Sequence, residues 1–207
     1  MATMGRPRTF DRDTAITQAM HLFWEHGYDS TSLSQLKTHL GGGISAPSFY
    51  AAFGSKEALF KEVMTRYLAT HGRVTESLFD TQLPPRQAIE LALRRSARMQ
   101  CEANHPKGCL VALGTMSSCS AESAQVSAPL AAARADNRAG IAACIERAIA
   151  SGELPADTEP GVLAAVFEVF LLGLTPLARD GIAPSVLDAA VTQVMAVWPG
   201  IPPAQAH

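Results

Sequence analysis

The chain has 207 residues, of which 47% are hydrophobic and 17% are charged. This balance is typical of a globular protein and excludes a disordered chain. The formal net charge of −2 excludes a histone-like basic protein. Because residues 1–73 carry eight Lys and Arg against six Asp and Glu, a nucleic-acid contact is expected at the N-terminal end.

The first ten residues are polar and basic and lack the apolar segment of a signal peptide, so a cytoplasmic location is expected. In that reducing compartment the four cysteines would be free thiols. Arg6 and Arg8 flank Pro7 ahead of any apolar period, which predicts an extended arm. Such an arm inserts arginines into the minor groove of DNA. A mobile terminus that only aids solubility is the alternative.

A first helix is predicted to begin after Asp11 and to end at Gly27. Asp11 has the side chain of an N-cap, and Gly27 has the backbone freedom of a C-cap. Between them apolar residues recur at helical spacing, which indicates one buried face. These residues are Ile16, Ala19, Met20, Phe23 and Trp24.

Residues 31–56 predict two helices joined by a glycine turn. Leucines recur at helical spacing before Gly41–Gly43, and Phe49 and Phe53 begin a second apolar period. A helix-turn-helix that reads DNA has this pattern. An ordinary helical hairpin with a glycine turn has it too.

The second of these helices is expected to begin near Ala46. Ser45 is a suitable N-cap, and Pro47 suits the first turn because its missing N–H has no partner there. The small residues at this end leave it slim enough to enter a major groove about 12 Å wide.

Residues from about Thr9 to Tyr67 resemble the DNA-binding domain of the TetR family of bacterial transcriptional regulators. The residues that carry the resemblance are Ala19, Leu22, Phe23, Gly27, Thr31, Ser32, Ser45, Phe49, Tyr50, Phe53, Ser55, Lys56 and Leu59. The family pattern has one glycine before the recognition helix, so the three glycines here imply a longer turn and a different angle between the helices. The resemblance implies contacts with double-stranded operator DNA by Thr31, Ser45, Ala46, Pro47, Ser48, Tyr50 and Lys56, to which the arm adds Arg6 and Arg8.

From Ser55 an apolar period predicts a helix to about His71. Lys56 lies in its first turn, where a cation opposes the helix dipole unless a phosphate lies nearby. Later prolines and glycines divide an alanine- and leucine-rich chain into helices expected at 86–103, 107–118, 128–151, 159–179 and 184–198. The expected fold is all-α. A DNA-binding domain with the arm and helix-turn-helix covers residues 1–54, and a helical effector-binding and dimerisation domain covers 55–207.

The segment 160–178 is apolar for nearly the length of a membrane span. Glu168 lies at its centre and no basic cluster flanks it, so no membrane is expected among the partners. This segment and the next helix carry more apolar surface than one small core needs, which predicts a two-fold homodimer. A helix fully buried within its own domain is the alternative. The expected interface residues are Leu163, Phe167, Leu171, Leu174, Leu187, Val191, Val194 and Trp198.

A repressor of the resembled family responds to an inducer, and a small molecule of unknown identity is expected in an apolar cavity between helices. The candidate lining residues are Met64, Tyr67, Met99, Cys109, Met116, Phe167 and Phe170. A stripe of methionine and aromatic side chains is equally typical of a plain core.

The stretch Gly108-Cys109-Leu110 resembles a motif in an electrophile-sensing branch of the family. Pro106 and Lys107 predict a helix start, which would place Cys109 in the first turn beside a cation and make its thiol more reactive. The alternative is that Cys109 is a small buried residue that fills a tight helix contact.

An enzyme is not expected, because the sequence contains no Gly-x-Ser-x-Gly elbow, no phosphate-binding glycine loop and no His-Glu-x-x-His helix. No cofactor is expected either. Cys101, His105 and Cys109 are ligand types suited to copper or zinc. Pro106 interrupts the helix that would align them, so the metal sensor remains the less favoured hypothesis and no metal site is predicted.

Overall fold

The computed structural model of the chain describes residues 10–114 and 126–198. Within these ranges it contains helices and no β-strand, which confirms the all-α prediction. The α-helices are α1 (Arg12–His26), α2 (Leu33–His39), α3 (Ala46–Phe53), α4 (Lys56–Ala69), α5 (Pro85–Met99), α6 (Leu110–Leu113), α7 (Ala128–Ala150), α8 (Pro160–Arg179) and α9 (Pro184–Val194). Segments of 3₁₀ helix cover Leu40–Gly42, His71–Phe79 and Met195–Val197.

Side-chain caps set the starts of the first three helices. Asp11 accepts a backbone amide from the first turn of α1, and Ser45 accepts the amide of Ser48 in α3. At α2, Ser32 and Gln35 form a reciprocal capping box. Each cap satisfies an amide that has no partner within its own helix. The predicted starts of α1 and α3 are therefore confirmed.

The three glycines fix the turn between α2 and α3. Gly41, Gly42 and Gly43 have φ values of +60°, +80° and +105°, which strain residues other than glycine. A Cβ atom at Gly41 would lie 2.9 Å from the Phe10 ring, and the Gly41 amide donates to Gln18 Oε1 at 2.8 Å. The longer turn is thus docked on the first helix.

The first hydrophobic core lies between α1 and α4. The rings of Phe23 and Phe60 meet edge to face at 5.1 Å, and those of Trp24 and Tyr67 at 4.9 Å. The same core continues to Leu110 in α6. Because α4 shares this core with the helix-turn-helix, it anchors the first three helices to the second half of the chain.

The second core is enclosed by α5, α7, α8 and α9 and includes Ile89, Ile145 and Phe167. Helix α8 is long and apolar enough to cross a membrane by length and composition alone. Its inner face packs into this core, and Glu168 at its middle pairs with Arg138 of α7 at 2.8 Å. These contacts are those of a helix packed within a helical domain.

Residues 100–109 form a loop, so the prediction of a helix beginning at 107 is wrong. Gly108 has φ +86°, and its amide donates to the Gln100 carbonyl at 3.0 Å. The Lys107 ammonium turns back to the carbonyls of Cys101 and Glu102. These contacts end α5 at Met99 rather than at 103 and delay α6 until Leu110. The predicted end of that helix at 118 lies outside the described residues.

Candidate nucleic-acid interface and effector cavity

Helix α3 presents a polar, slender surface on one side. Phe49 and Phe53 are buried in the first core, whereas Ser45 and Ser48 are exposed and Tyr50 is 51% exposed. Pro47 is also exposed and Ala46 is partly exposed. The hydroxyl groups of the two serines lie 2.9 Å apart. The arrangement suits a helix whose N-terminal end enters a DNA groove, because no bulky side chain projects there.

Thr31 does not belong to this surface, which corrects the predicted DNA contact. Its side chain is fully buried, and its hydroxyl donates to the Gly27 carbonyl at 2.7 Å. The side chain closes the turn between α1 and α2. Ser32, the next residue, is the exposed cap.

Lys56 lies in the first turn of α4 and is partly buried. Its Nζ atom is 4.2 Å from the centroid of the Tyr28 ring, a distance at which an ammonium is attracted to an aromatic face. Burial lowers the pKa of Lys56, and the charge of Asp29 opposes this shift. A phosphate contact by Lys56 stays a prediction. Arg6 and Arg8 of the predicted arm lie outside the described residues.

A small cavity of about 60 Å³ lies between α4, α5, α6, α7 and α8. Of the seven predicted effector residues, it brings together Tyr67 and Cys109. Met64 and Met99 pack in the first core instead, and Phe167 and Phe170 belong to the second. Helical spacing marks an apolar side chain without distinguishing a core from a cavity, and a role for these four residues in effector binding stays a prediction. Met116 lies outside the described residues.

Tyr67 and Cys109 contact each other in this cavity. The Tyr67 hydroxyl donates to Cys109 Sγ at 3.2 Å and accepts the Leu110 amide at 3.3 Å. Burial, followed by the nearby Cys109, raises the pKa of Tyr67 well above its ordinary value. Cys109 precedes α6 rather than lying in a first turn, and Lys107 is engaged elsewhere. The predicted placement of Cys109 in the first turn of a helix that begins at Lys107 is therefore wrong.

The polar side of the cavity was not predicted. Ser96 of α5 and Gln100, which directly follows the last residue of that helix, are buried and line it. Gln100 Nε2 donates to Ser96 Oγ at 2.9 Å, and Thr175 of α8 donates to Gln100 Oε1 at 2.7 Å. Thr75 and Asn137 add further neutral polar groups. The spacing of Ser96 and Gln100 on an otherwise apolar helix face was the signal in the sequence.

Among the described residues, no three His, Cys, Asp or Glu side chains gather where they could hold a metal ion. His105 of the proposed Cys/His cluster stacks on Trp24 with ring centroids 4.5 Å apart. Its Nδ1 atom lies 2.9 Å from the Pro106 carbonyl oxygen. The His105 side chain is thus buried against the Trp24 ring.

Most residues predicted for the dimer interface are buried within the chain itself. Six of the eight side chains are buried in the chain's own second core, and Leu163 and Val194 pack against it. The opposite faces of α8, α9 and the following 3₁₀ segment carry apolar residues that are 40% to 71% exposed. We call this set the exposed stripe: Val162, Val166, Val169, Leu177, Val186 and Val197.

Two comparisons of sequence cover most of the chain. Residues 15–63 match the family model for bacterial regulatory proteins of the tetR family. Residues 85–194 match the tetracyclin repressor-like C-terminal domain. The chain is 30% identical over 196 residues to the HTH-type transcriptional repressor ComR of Escherichia coli strain K12, covering 94% of this chain and 92% of ComR. It is 34% identical over 110 residues to the repressor BdcR of the same strain, covering 53% of this chain and 55% of BdcR.

A solved structure shares the fold along nearly the whole chain. It is a cysteine mutant of the TetR family transcriptional regulator CifR, complexed with 26-base-pair double-strand operator DNA. The TM-score is 0.82 at 38% identity, covering 94% of this chain and 100% of the CifR chain. The family models, the ComR match along most of both chains and this fold agree, and the chain belongs to the TetR family of bacterial transcriptional regulators.

Proposed function

We propose that this chain is a homodimeric, sequence-specific repressor that leaves its operator when a small effector occupies the cavity beside Tyr67 and Cys109. It acts on DNA in the cytoplasm and has no catalytic activity. The observation that carries the proposal is the division of α3 into a side buried through Phe49 and Phe53 and an exposed side of small and polar residues together with Tyr50. Such a helix is held rigidly by its core while its free side meets base edges.

The exposed stripe supports a homodimer. Large apolar patches on a monomer mark association surfaces, and a two-fold dimer buries the same patch on both copies. Two copies of α3 would then meet successive major grooves, which accounts for a near-palindromic operator. ComR and BdcR are named as repressors, which favours repression over activation.

The cavity supports a small and uncharged effector. The described residues that line it carry no formal charge, so an ionised ligand would lose its hydration without gaining a partner. Its volume of about 60 Å³ is well below that of a drug-sized pocket, which is on the order of several hundred Å³. An effector of few atoms fits, and a larger one would have to enlarge the cavity.

A reactive effector is the second candidate, because Cys109 lines the same cavity. Its Sγ atom accepts a hydrogen bond from Tyr67, and a thiolate there would attack an electrophile held in the cavity. Cys109→Ser separates the two cases. Release from DNA by an alkylating agent is expected to disappear in the variant if the effector is reactive, and release by a non-covalent effector is expected to persist.

Selection of wild-type protein from a random duplex pool tests the proposed function, and enrichment of one near-palindromic sequence is expected. Tyr50→Ala and Lys56→Ala are then expected to weaken binding to this duplex and, for Lys56, to reduce the salt dependence of the affinity. Lys61→Ala is the matched control, because Lys61 lies one turn further along α4 and pairs with Glu57. Enrichment of no sequence would contradict specific recognition.

The effector is tested separately by thermal shift against a panel of small neutral molecules. Binding to the folded protein raises the unfolding midpoint with ligand concentration. A hit that also releases the selected duplex supports the cavity as the effector site. Ala112→Phe, which fills the cavity from α6, is expected to abolish the shift without abolishing DNA binding.

A further inference from the structure

The C-terminal end of α8 meets both the DNA-binding helices and the loop beside the cavity. Arg179, its last residue, reaches across the chain to α1. Its Nη2 atom donates to the backbone carbonyls of Trp24 at 3.2 Å and Glu25 at 2.9 Å. Its Nε atom donates to the Lys107 carbonyl at 3.3 Å. One guanidinium thus joins three segments of the chain.

The bonds to α1 are well placed energetically. The last carbonyls of a helix have no partner within the helix, and a cation at this end interacts favourably with the helix dipole. Trp24 and Glu25 lie in the last turn of α1. Arg179 therefore caps α1 with a side chain from a helix more than 150 residues later. The planar guanidinium can do this at two carbonyls at once, whereas an ammonium has no such fork.

The loop at Gly108 is packed against the same part of α8. A Cβ atom at Gly108 would lie 2.9 Å from Thr175 Cγ2 and 3.5 Å from Arg179 Cγ. No side chain larger than that of glycine fits between the loop and α8 here, so the two segments lie close together. A displacement of α8 towards the loop at Thr175 would therefore press on the loop, and with it on the carbonyl of Lys107 that Arg179 holds.

Thr175 connects this contact to the cavity. Its hydroxyl donates to Gln100 Oε1, and Gln100 and Ser96 both line the cavity. A ligand that hydrogen-bonds to Gln100 competes directly with Thr175. Consecutive contacts through α8 thus join the neutral polar groups of the cavity to the carbonyls of α1, and chains of packed side chains and hydrogen bonds of this kind can carry coupling between two sites.

We propose that Arg179, with Thr175 and Gly108, is the joint through which occupancy of the cavity sets the position of the DNA-binding helices. The proposal rests on the proposed function, since it names the regulation of that same cavity. Arg179 positions α1 and touches neither DNA nor effector. Its loss should uncouple the two halves of the chain while leaving both of them folded.

The fluorescence of Trp24 can test the contact between Arg179 and α1 in the absence of DNA and effector. Trp24 is fully buried, and Arg179 bonds to its carbonyl. The chain has two tryptophans, so Trp198→Phe leaves Trp24 as the only strong emitter. Arg179→Met is compared in this background with Arg138→Met. The lost arginine there pairs with Glu168 between α7 and α8, and its hydrogen bonds within the described residues go to that carboxylate. Acrylamide quenching of Trp24 is expected to rise in Arg179→Met and to stay unchanged in Arg138→Met.

Operator binding gives the second measurement, made in the natural background. Arg179→Met is expected to lower affinity for the selected duplex by about tenfold, within the usual range of coupling between sites, and to leave affinity for random duplex unchanged. Thr175→Val, which removes the hydroxyl and keeps the shape, should make release by a cavity ligand found in the thermal-shift panel less effective. Arg179→Lys, which keeps the charge, is expected to have an operator affinity between those of wild type and Arg179→Met. It replaces Arg179→Met in the comparison if that variant does not fold.

The proposal that Arg179 couples the cavity to the DNA-binding helices would be overturned if Arg179→Met and Arg138→Met showed equal Trp24 quenching and equal operator affinity. A wild-type protein that selects no sequence would refute the proposed function instead, and the quenching comparison would still decide whether Arg179 holds α1. A loss of dimer in Arg179→Met, seen by sedimentation, would also overturn the proposal, because it would assign the effect on DNA to assembly.

Discussion

Val169→Glu provides the sharpest test of the exposed stripe. Val169 is 71% exposed in the single chain. Full burial of a valine side chain stabilises by about 1.5 to 3 kcal/mol, so burial of the exposed part of Val169 in the proposed interface would stabilise the dimer by about 1 to 2 kcal/mol from each protomer. A two-fold interface counts the change twice. The introduced carboxylates add the cost of desolvation, so we expect a total loss of at least about 4 kcal/mol, or about a thousandfold in the dimer dissociation constant.

The same substitution should leave the fold of each chain intact, because a side chain in solvent contributes little to the stability of the monomer. Sedimentation velocity is expected to show a monomer, and circular dichroism an unchanged helical signal. Leu171→Glu, only two residues away but 8% exposed, is the contrast. It places a charge in the second core and should unfold the chain. Val169→Thr, which adds no charge, should weaken the dimer far less.

A Val169→Glu protein that sediments like wild type would refute the assignment of this face to the interface. A wild-type protein that is monomeric at micromolar concentration would refute the dimer itself. Loss of helical signal in Val169→Glu would show that the side chain supports the fold of the single chain, contrary to its exposure.

Three further predictions concern stability. Thr31→Val should lower the free energy of unfolding by about 1 kcal/mol, measured in urea, without changing the DNA sequence selected; a changed sequence would restore Thr31 as a contact. Gly41→Ala should cost about 1 to 2 kcal/mol and more than Gly54→Ala, whose Cβ meets open space; equal losses would contradict the docked turn. Burial lowers the pKa of His21 and His71 from the ordinary value of 6.5, so the unfolded chain binds more protons than the folded chain in mild acid. The thermal unfolding midpoint should therefore fall as pH drops below about 6.5. A midpoint that stays constant over this pH range would contradict the prediction.

Local chemistry predicted the ends of the first helices. A cap joins residues two or three positions apart, so Asp11 and Ser45 could be recognised without knowing the fold. Thr31 failed for an instructive reason. Ser30, Thr31 and Ser32 stand together before α2, and Ser32 is the exposed cap, while Thr31 turns inward to Gly27. Residue type alone does not separate these roles.

Contacts between residues that are far apart in the chain could not be predicted from the sequence. Helix α8 is apolar on nearly every side, so periodicity found apolar positions but not which of them face the second core. On α8, Phe167, Leu171 and Leu174 face this core, whereas Val162, Val166, Val169 and Leu177 are exposed. Gln100 and Thr175 are 75 residues apart, and no local pattern announces their hydrogen bond. The predicted start of α6 is too early because Lys107 and Gly108 donate hydrogen bonds to the carbonyls of residues 100–102. These contacts hold a loop where helix propensity alone favours a helix.

In the proposed dimer, the two faces of α8 would carry different constraints on substitution. Changes at Leu171 or Phe167, which are buried in the second core, would act on the stability of one chain. Changes at Val162, Val166 and Val169 would act on the fit between two chains. A cell that contains several relatives of one fold must keep their subunits from mixing, and specificity between similar partners depends on surfaces that reject as well as attract. In the proposed dimer the exposed stripe therefore decides which polypeptides this chain accepts as a partner, and it can diverge after gene duplication while the core beneath it stays the same.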